Sequence, residues 1–132
     1  MDHTEDERYL NLLSIFHYIV GGIAGLFACF PILHFVVGVG MLFASFNQSD
    51  SGAPPLIFGL MFTLFAGTFI LVGWIFAICI ILTGRYISQR KNHMFCMVMA
   101  GIECIFTPFG TVLGTFTIII LNRPSVKGLF KN

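Results

Sequence analysis

Glu103 is the residue with the most chemistry to offer. It is the one charge in the apolar run 94–121, MFCMVMAGIECIFTPFGTVLGTFTIIIL. An ionisable side chain at the centre of a bilayer is disfavoured by about 2.5–3.5 kcal/mol on insertion scales. Those that occur there face a cavity, bind an ion or relay a proton. The plainer alternative is a protonated carboxyl hydrogen-bonded to a neighbouring helix. On one continuous helix Glu103, Thr107 and Thr111 recur at four-residue spacing, with Gly114 close by, and form a polar stripe suited to lining an ion path. His17 and His34 also stand in apolar sequence. Either could relay a proton with Glu103, hold a metal, or ligate a haem or pigment. The plainer reading is a core imidazole bonded to a carbonyl. His93-x-x-Cys96 is too short a motif to define a metal site. With no Walker loop, GxSxG, HExxH or paired acids, no enzyme and no bound metal are expected.

The stretch that positions Glu103 is interrupted at Thr107-Pro108-Phe109-Gly110. Pro108 lacks an N–H, and in a helix its ring would clash with the carbonyl of Cys104. Thr107 can cap a new helix with Pro108 at its first position. Two geometries follow for 94–121. One is a single kinked span, roughly 42 Å long if straight. The other is a re-entrant hairpin of two helices of about 20 Å each, too short to cross separately. In the hairpin the stripe is lost, and freed carbonyls around Cys104 could join a cation site. Irregular backbone at that depth must be buried in protein or face water.

The composition sets the frame. The chain has 132 residues, 57% apolar and 10% charged, against about 25% charged in soluble domains. The expected fold is an all-α integral membrane protein, one polytopic domain with about four helical segments. A net charge of +1 without a basic stripe argues against nucleic acid. Cys29, Cys79, Cys96 and Cys104 lie in apolar runs without CxxC spacing and read as buried thiols. The acidic start, MDHTEDERYL, is not that of a cleaved signal.

Thr4 with Glu7 makes a capping box, so a helix is expected over 5–30. Pro31 divides the apolar block and begins a short helix over 31–46. A loop spans 47–55, and 56–84 is the cleanest transmembrane helix. A basic loop at 85–93 and a basic tail at 122–132 flank the final block. Gly59, Thr63 and Gly67 form a small-residue stripe, and Gly21-x-x-x-Gly25 and Gly110-x-x-x-Gly114 are small-xxx-small pairs. They suit intramolecular packing or a dimer face. Lys and Arg concentrate in the 85–93 loop and the tail, and the 47–55 loop has none. The positive-inside rule places both basic segments in the cytoplasm, which favours the hairpin. A register shift that sets His17 on His93 also sets Ala24, Gly25, Phe30, Val36 and Gly38 on Ala100, Gly101, Phe106, Val112 and Gly114, a faint internal repeat. Inverted repeats with broken helices are a transporter architecture.

Two stretches, LLSIFHYIVGGIAGLFACFPILH and CMVMAGIECIFTPFGTVLGTFTIIILNRPSVKGLF, together resemble a set of small multi-spanning bacterial membrane proteins of uncharacterised function. The resemblance covers about half the chain. It implies a bacterial inner membrane and brings no activity or site residue. The function expected is therefore a small homo-oligomeric channel or transporter with a membrane-embedded acid. The alternative is an accessory or structural subunit of a larger membrane complex, with a haem or pigment on His17 or His34.

Overall fold

The computed structural model describes residues 3–47, 56–106 and 108–131. Thr107 and most of the expected 47–55 loop lie outside the described residues. Those described form helices and no strand: α1 (His3–Cys29), α2 (Pro31–Asn47), α3 (Leu56–Gln89), α4 (His93–Glu103), α5 (Phe109–Leu121) and α6 (Pro124–Lys127). They divide into two compact units, one of Met1–Ile23 with Ala77–Asn132, the other of Ala24–Phe76. Two helical stretches, Thr4–Asn47 and Leu56–Gln89, are long and apolar enough to cross a membrane.

The helix ends follow from local chemistry, with some departures from expectation. α1 already includes Thr4, so Thr4 is not the cap, although Glu5 and Asp6 still occupy the first turn where the helix dipole favours acids. Pro31 has no N–H to continue α1. The last turn tightens instead, with the Phe30 N–H donating to Phe27 O at 3.1 Å, and Pro31 opens α2. α3 does not stop near Gly84. It continues through Arg85 to Gln89, so the basic loop shrinks to Arg90, Lys91 and Asn92. Arg90 and Asn92 sit at left-handed φ values of 54° and 50°, which reverse the chain within three residues.

In the first unit, α4 and α5 fold back on each other as a hairpin. The start of α4 meets the end of α5, where His93 Nε2–H donates to Leu121 O at 2.8 Å. The helices approach closely because glycines face α4. Gly114 lies against Ala100 O and Cys104, and Gly110 lies against Glu103 O. α1 and α3 make a similar contact. Gly84 sits beneath His17 and Ser14, Gly21 lies against Ala77 and Ile81, and the Ser14 hydroxyl donates to Gly84 O at 2.7 Å. The larger core joins Leu10 and Leu13 of α1 to Ile87, Cys96, Leu113 and Leu121. It also takes in Val126 and Phe130, so the tail is docked rather than laid on a surface. The basic residues meet the acidic start of α1 here. Arg90 pairs with Glu7 at 2.9 Å, and Arg123 reaches Asp6 at 3.6 Å and covers the Tyr9 ring.

The second unit has almost no large buried side chains. Among its described residues the buried ones are Ala28, Gly38, Gly59 and Ala66. Gly38 packs on Thr63, Gly59 on Leu42, Gly67 on Phe35 and Gly73 on Ala28. The Gly59–Thr63–Gly67 stripe is thus taken up within the chain, and so are Gly21, Gly110 and Gly114. Gly25 is half-buried.

A side chain added at Gly114 has no room, whereas one added at Gly101 of the same hairpin meets nothing within 4 Å. Gly114→Val is therefore expected to destabilise by about 1–3 kcal/mol through overpacking. Gly101→Ala should leave thermal unfolding in detergent unchanged or shift it upward, because alanine is the better helix former.

Candidate functional site

Glu103 is the last residue of α4, and the hairpin carries it to α1, where it meets His17. His17 Nε2 lies 3.3 Å from Glu103 Oε2, and both side chains are essentially inaccessible, at 0% and 1% exposure. Two neighbours fix the imidazole. Gly84 of α3 lies under its Cβ, and Leu13 O accepts a hydrogen bond from Nδ1–H at 2.9 Å. A carbonyl can only accept, so Nδ1 carries a proton. Nε2, the other ring nitrogen, is the one turned toward the acid.

The pair has little other support. Nε2 and both carboxylate oxygens lack a hydrogen-bond partner among the described residues. The 3.3 Å gap is longer than the 2.7–2.9 Å of a tight charge-assisted bond. The contact is therefore electrostatic and imperfectly aligned. A buried carboxylate without donors is expensive unless neutralised. Its place at a helix C-terminus adds the negative end of the helix dipole. A proton shared between Nε2 and Oε2 removes the net charge in either of two forms, imidazolium with carboxylate or imidazole with carboxylic acid.

Short backbone bonds close the turn after α4. Cys104 N–H donates to Ala100 O, Ile105 N–H to Ile102 O and Phe106 N–H to Glu103 O, at 3.0–3.1 Å. The Thr111 hydroxyl reaches across the turn to Cys104 O at 2.9 Å. Of the carbonyls around Cys104, those of Ala100, Ile102, Glu103 and Cys104 therefore each already accept a hydrogen bond. Glu103 and Thr111 stand on different helices, so the four-residue polar stripe does not form, and Thr111 caps α4 instead. Pro108 lies at the N-cap of α5, one position before its expected place. Thr107 lies outside the described residues.

His34 belongs to the other unit. Its ring sits 5.8 Å from each of Phe30 and Phe62, at a cleft of about 220 Å³ lined also by Pro31, Phe65, Ala66 and Phe69. At His17 both ring nitrogens face groups of the fold, which leaves neither directed at a haem or pigment. No group of three or more His, Cys, Asp or Glu converges among the described residues.

Sequence reasoning missed the parts that hold the imidazole. The Leu13 carbonyl had a signal, since it lies one helical turn before His17. The seven-residue spacings Ser14–Gly21 and Ala77–Gly84 mark the α1–α3 contact, but Gly84 reads as a loop boundary beside Arg85. Cys96, with Sγ 3.9 Å from Thr83 O, and Thr83 and Thr117, whose hydroxyls turn back to Cys79 O and Leu113 O, are buried polar groups without a motif.

Removing one member of a buried pair typically destabilises by 3–5 kcal/mol, while replacing both with apolar residues can be neutral. Glu103→Leu and His17→Leu singly should each lower the unfolding temperature. The double variant should recover most of the loss, a coupling that a thermal-melt double-mutant cycle in detergent reads directly. No family model, curated protein or solved structure matches the chain.

Proposed function

We propose that the chain is a membrane-embedded subunit of a small homo-oligomeric channel or transporter, with the His17–Glu103 pair as its ion- or proton-binding site. The observation that carries this reading is a fully buried acid and base that meet across two helices, with Nε2 and both carboxylate oxygens lacking any other hydrogen-bond partner among the described residues. A purely structural pair is ordinarily satisfied on every side.

Placement in a bilayer supports it. Within the most apolar stretches of the two long helical segments, 11% and 17% of residues are buried in the chain. Leu26, Phe27, Leu33 and Phe43 of the first, and Phe65, Leu71 and Ile75 of the second, are exposed apolar side chains in need of lipid or another helix. The ion pairs Arg90–Glu7 and Arg123–Asp6 set the N-terminus beside both basic segments, which the positive-inside rule assigns to the cytoplasm. From Glu7 to His17, and from His93 to Glu103, is ten residues of helix, about 15 Å. With the basic end at the membrane surface, the pair lies halfway through a hydrocarbon core of about 30 Å. The α4–α5 hairpin then enters and leaves on the cytoplasmic side. One copy has too few helices to enclose a path, so copies must assemble. Gly22, Gly40 and Gly101, with open space above them, give neighbouring helices room to approach.

Single cysteines introduced at Thr4, Asn92 and Ser125 should all react with an impermeant thiol reagent from the cytoplasmic side. Labelling of Asn92 and Ser125 from opposite sides would overturn the re-entrant hairpin. In proteoliposomes Glu103→Gln should lower flux at least ten-fold; unchanged flux removes the acid from the path. Native mass should give a small multiple of 14.7 kDa. A stoichiometric complex with other proteins would instead make the chain an accessory subunit.

A further inference from the structure

We infer that the species bound and released at the His17–Glu103 pair is a proton and not a metal cation. The inference rests on the transport reading above and narrows its substrate.

The ligand inventory decides between the two. A hard cation needs a shell of oxygens, commonly six or more for calcium and a near-octahedral six for magnesium. Here Glu103 supplies two oxygens, and the atom facing them is a ring nitrogen. The main chain offers no carbonyl turned to the pair: Ala100 O, Ile102 O, Glu103 O and Cys104 O each already accept a hydrogen bond within the turn, and no contact joins them to His17 Nε2 or the Glu103 carboxylate among the described residues. Gly114 closes over Ala100 O, and Gly110 closes over Glu103 O. The nearby polar side chains are already engaged elsewhere: the Ser14 hydroxyl of α1 donates to Gly84 O of α3, and Cys96 Sγ of α4 lies 3.9 Å from Thr83 O. No cluster of three acids, histidines or cysteines stands among the described residues.

A proton needs none of this. Because Nδ1–H is held by Leu13 O, the imidazole presents Nε2 to the carboxylate whatever the state of the pair. Loaded, one proton lies between Nε2 and Oε2 and the pair has no net charge. Release breaks the N–H or O–H bond that holds this proton and passes it to water. Neutral imidazole and carboxylate remain, with net charge −1. That leaves two lone pairs facing each other at 3.3 Å and a buried anion without donors. The empty pair is therefore the high-energy state, and it favours separation of the α4–α5 hairpin from α1 until another proton arrives. Reloading from the opposite side completes one transfer, with one proton in and one out.

The test uses the full chain in liposomes loaded with a pH-sensitive dye, under an imposed membrane potential. Acidification is expected at the same rate with sodium or choline outside, and at least ten-fold slower in Glu103→Gln. Sodium or potassium flux without proton movement overturns this inference and leaves the transport reading standing. No flux of any ion overturns both. A second measurement needs no variant. The ¹⁵N imidazole signals of His17 in the wild-type protein should respond to pH and not to added sodium or potassium. A shift with either cation at constant pH would overturn the assignment.

Discussion

A helix that turns back among apolar side chains has to satisfy its own carbonyls, because no water is at hand to do so. Much of the first unit follows from that constraint. The three short bonds after α4, and the Thr111 hydroxyl that crosses to Cys104 O, close the turn from within. They can do so only if α5 comes very near α4, and Gly110 and Gly114 allow the approach. With the turn sealed, Glu103 is left at the end of α4 with no backbone donor to meet it. His17 is the base that the packing of α1 on α3 brings to that place. The glycines, the threonine cap and the acid–base pair are thus one arrangement.

The two units solve packing differently. The first buries large side chains from α1, α3, α4, α5 and the tail and adds a cationic end tied to acids of the first helix turns. The solvent-facing Arg90–Glu7 pair contributes about 0–1 kcal/mol, so its role is to register the ends more than to hold them, while the Arg123–Asp6 pair has a buried carboxylate. The second unit packs small residue against small residue and leaves its aromatic side chains outside. In water such an arrangement buries too little to be favourable. In lipid, where association depends on close van der Waals contact, it is an ordinary way for helices to meet.

Much of the helical plan could be read from residue types. Proline has no N–H, and the helices end beside Pro31 and Pro108 for that reason. The composition leaves room for little but helices. Other features were not legible because they depend on distant partners. Gly84 looks like the end of a span, yet Ile87 has an apolar core to enter, and burial there carries α3 past Arg85. Thr4 looks like a cap, but α1 begins at His3. The tail looks like a surface segment, since Lys127 and Lys131 dominate its appearance; Val126 and Phe130 decide its place. Glu103 and His17 are each conspicuous as polar residues in apolar runs. Their meeting is not, because it depends on which helix faces which. The regular spacing of Glu103, Thr107 and Thr111 misled, since it supposes a continuous helix that the proline does not permit.

The first unit is discontinuous in sequence, and this bears on how the chain is made. Leu10 and Leu13 emerge first from the ribosome, while Val126 and Phe130, which share their core, emerge last. Phe130 follows Leu10 by 120 positions, roughly 6–24 s of synthesis at 5–20 residues per second. Throughout that interval the first helix stands without its final neighbours, and for the 86 positions from His17 to Glu103 the imidazole has no acid to meet. The nascent chain must shelter an unmatched imidazole and an open apolar face in some temporary setting, whether lipid or a chaperone. A nascent chain halted before Val126 would lack the side chains of Val126 and Phe130 that close this core.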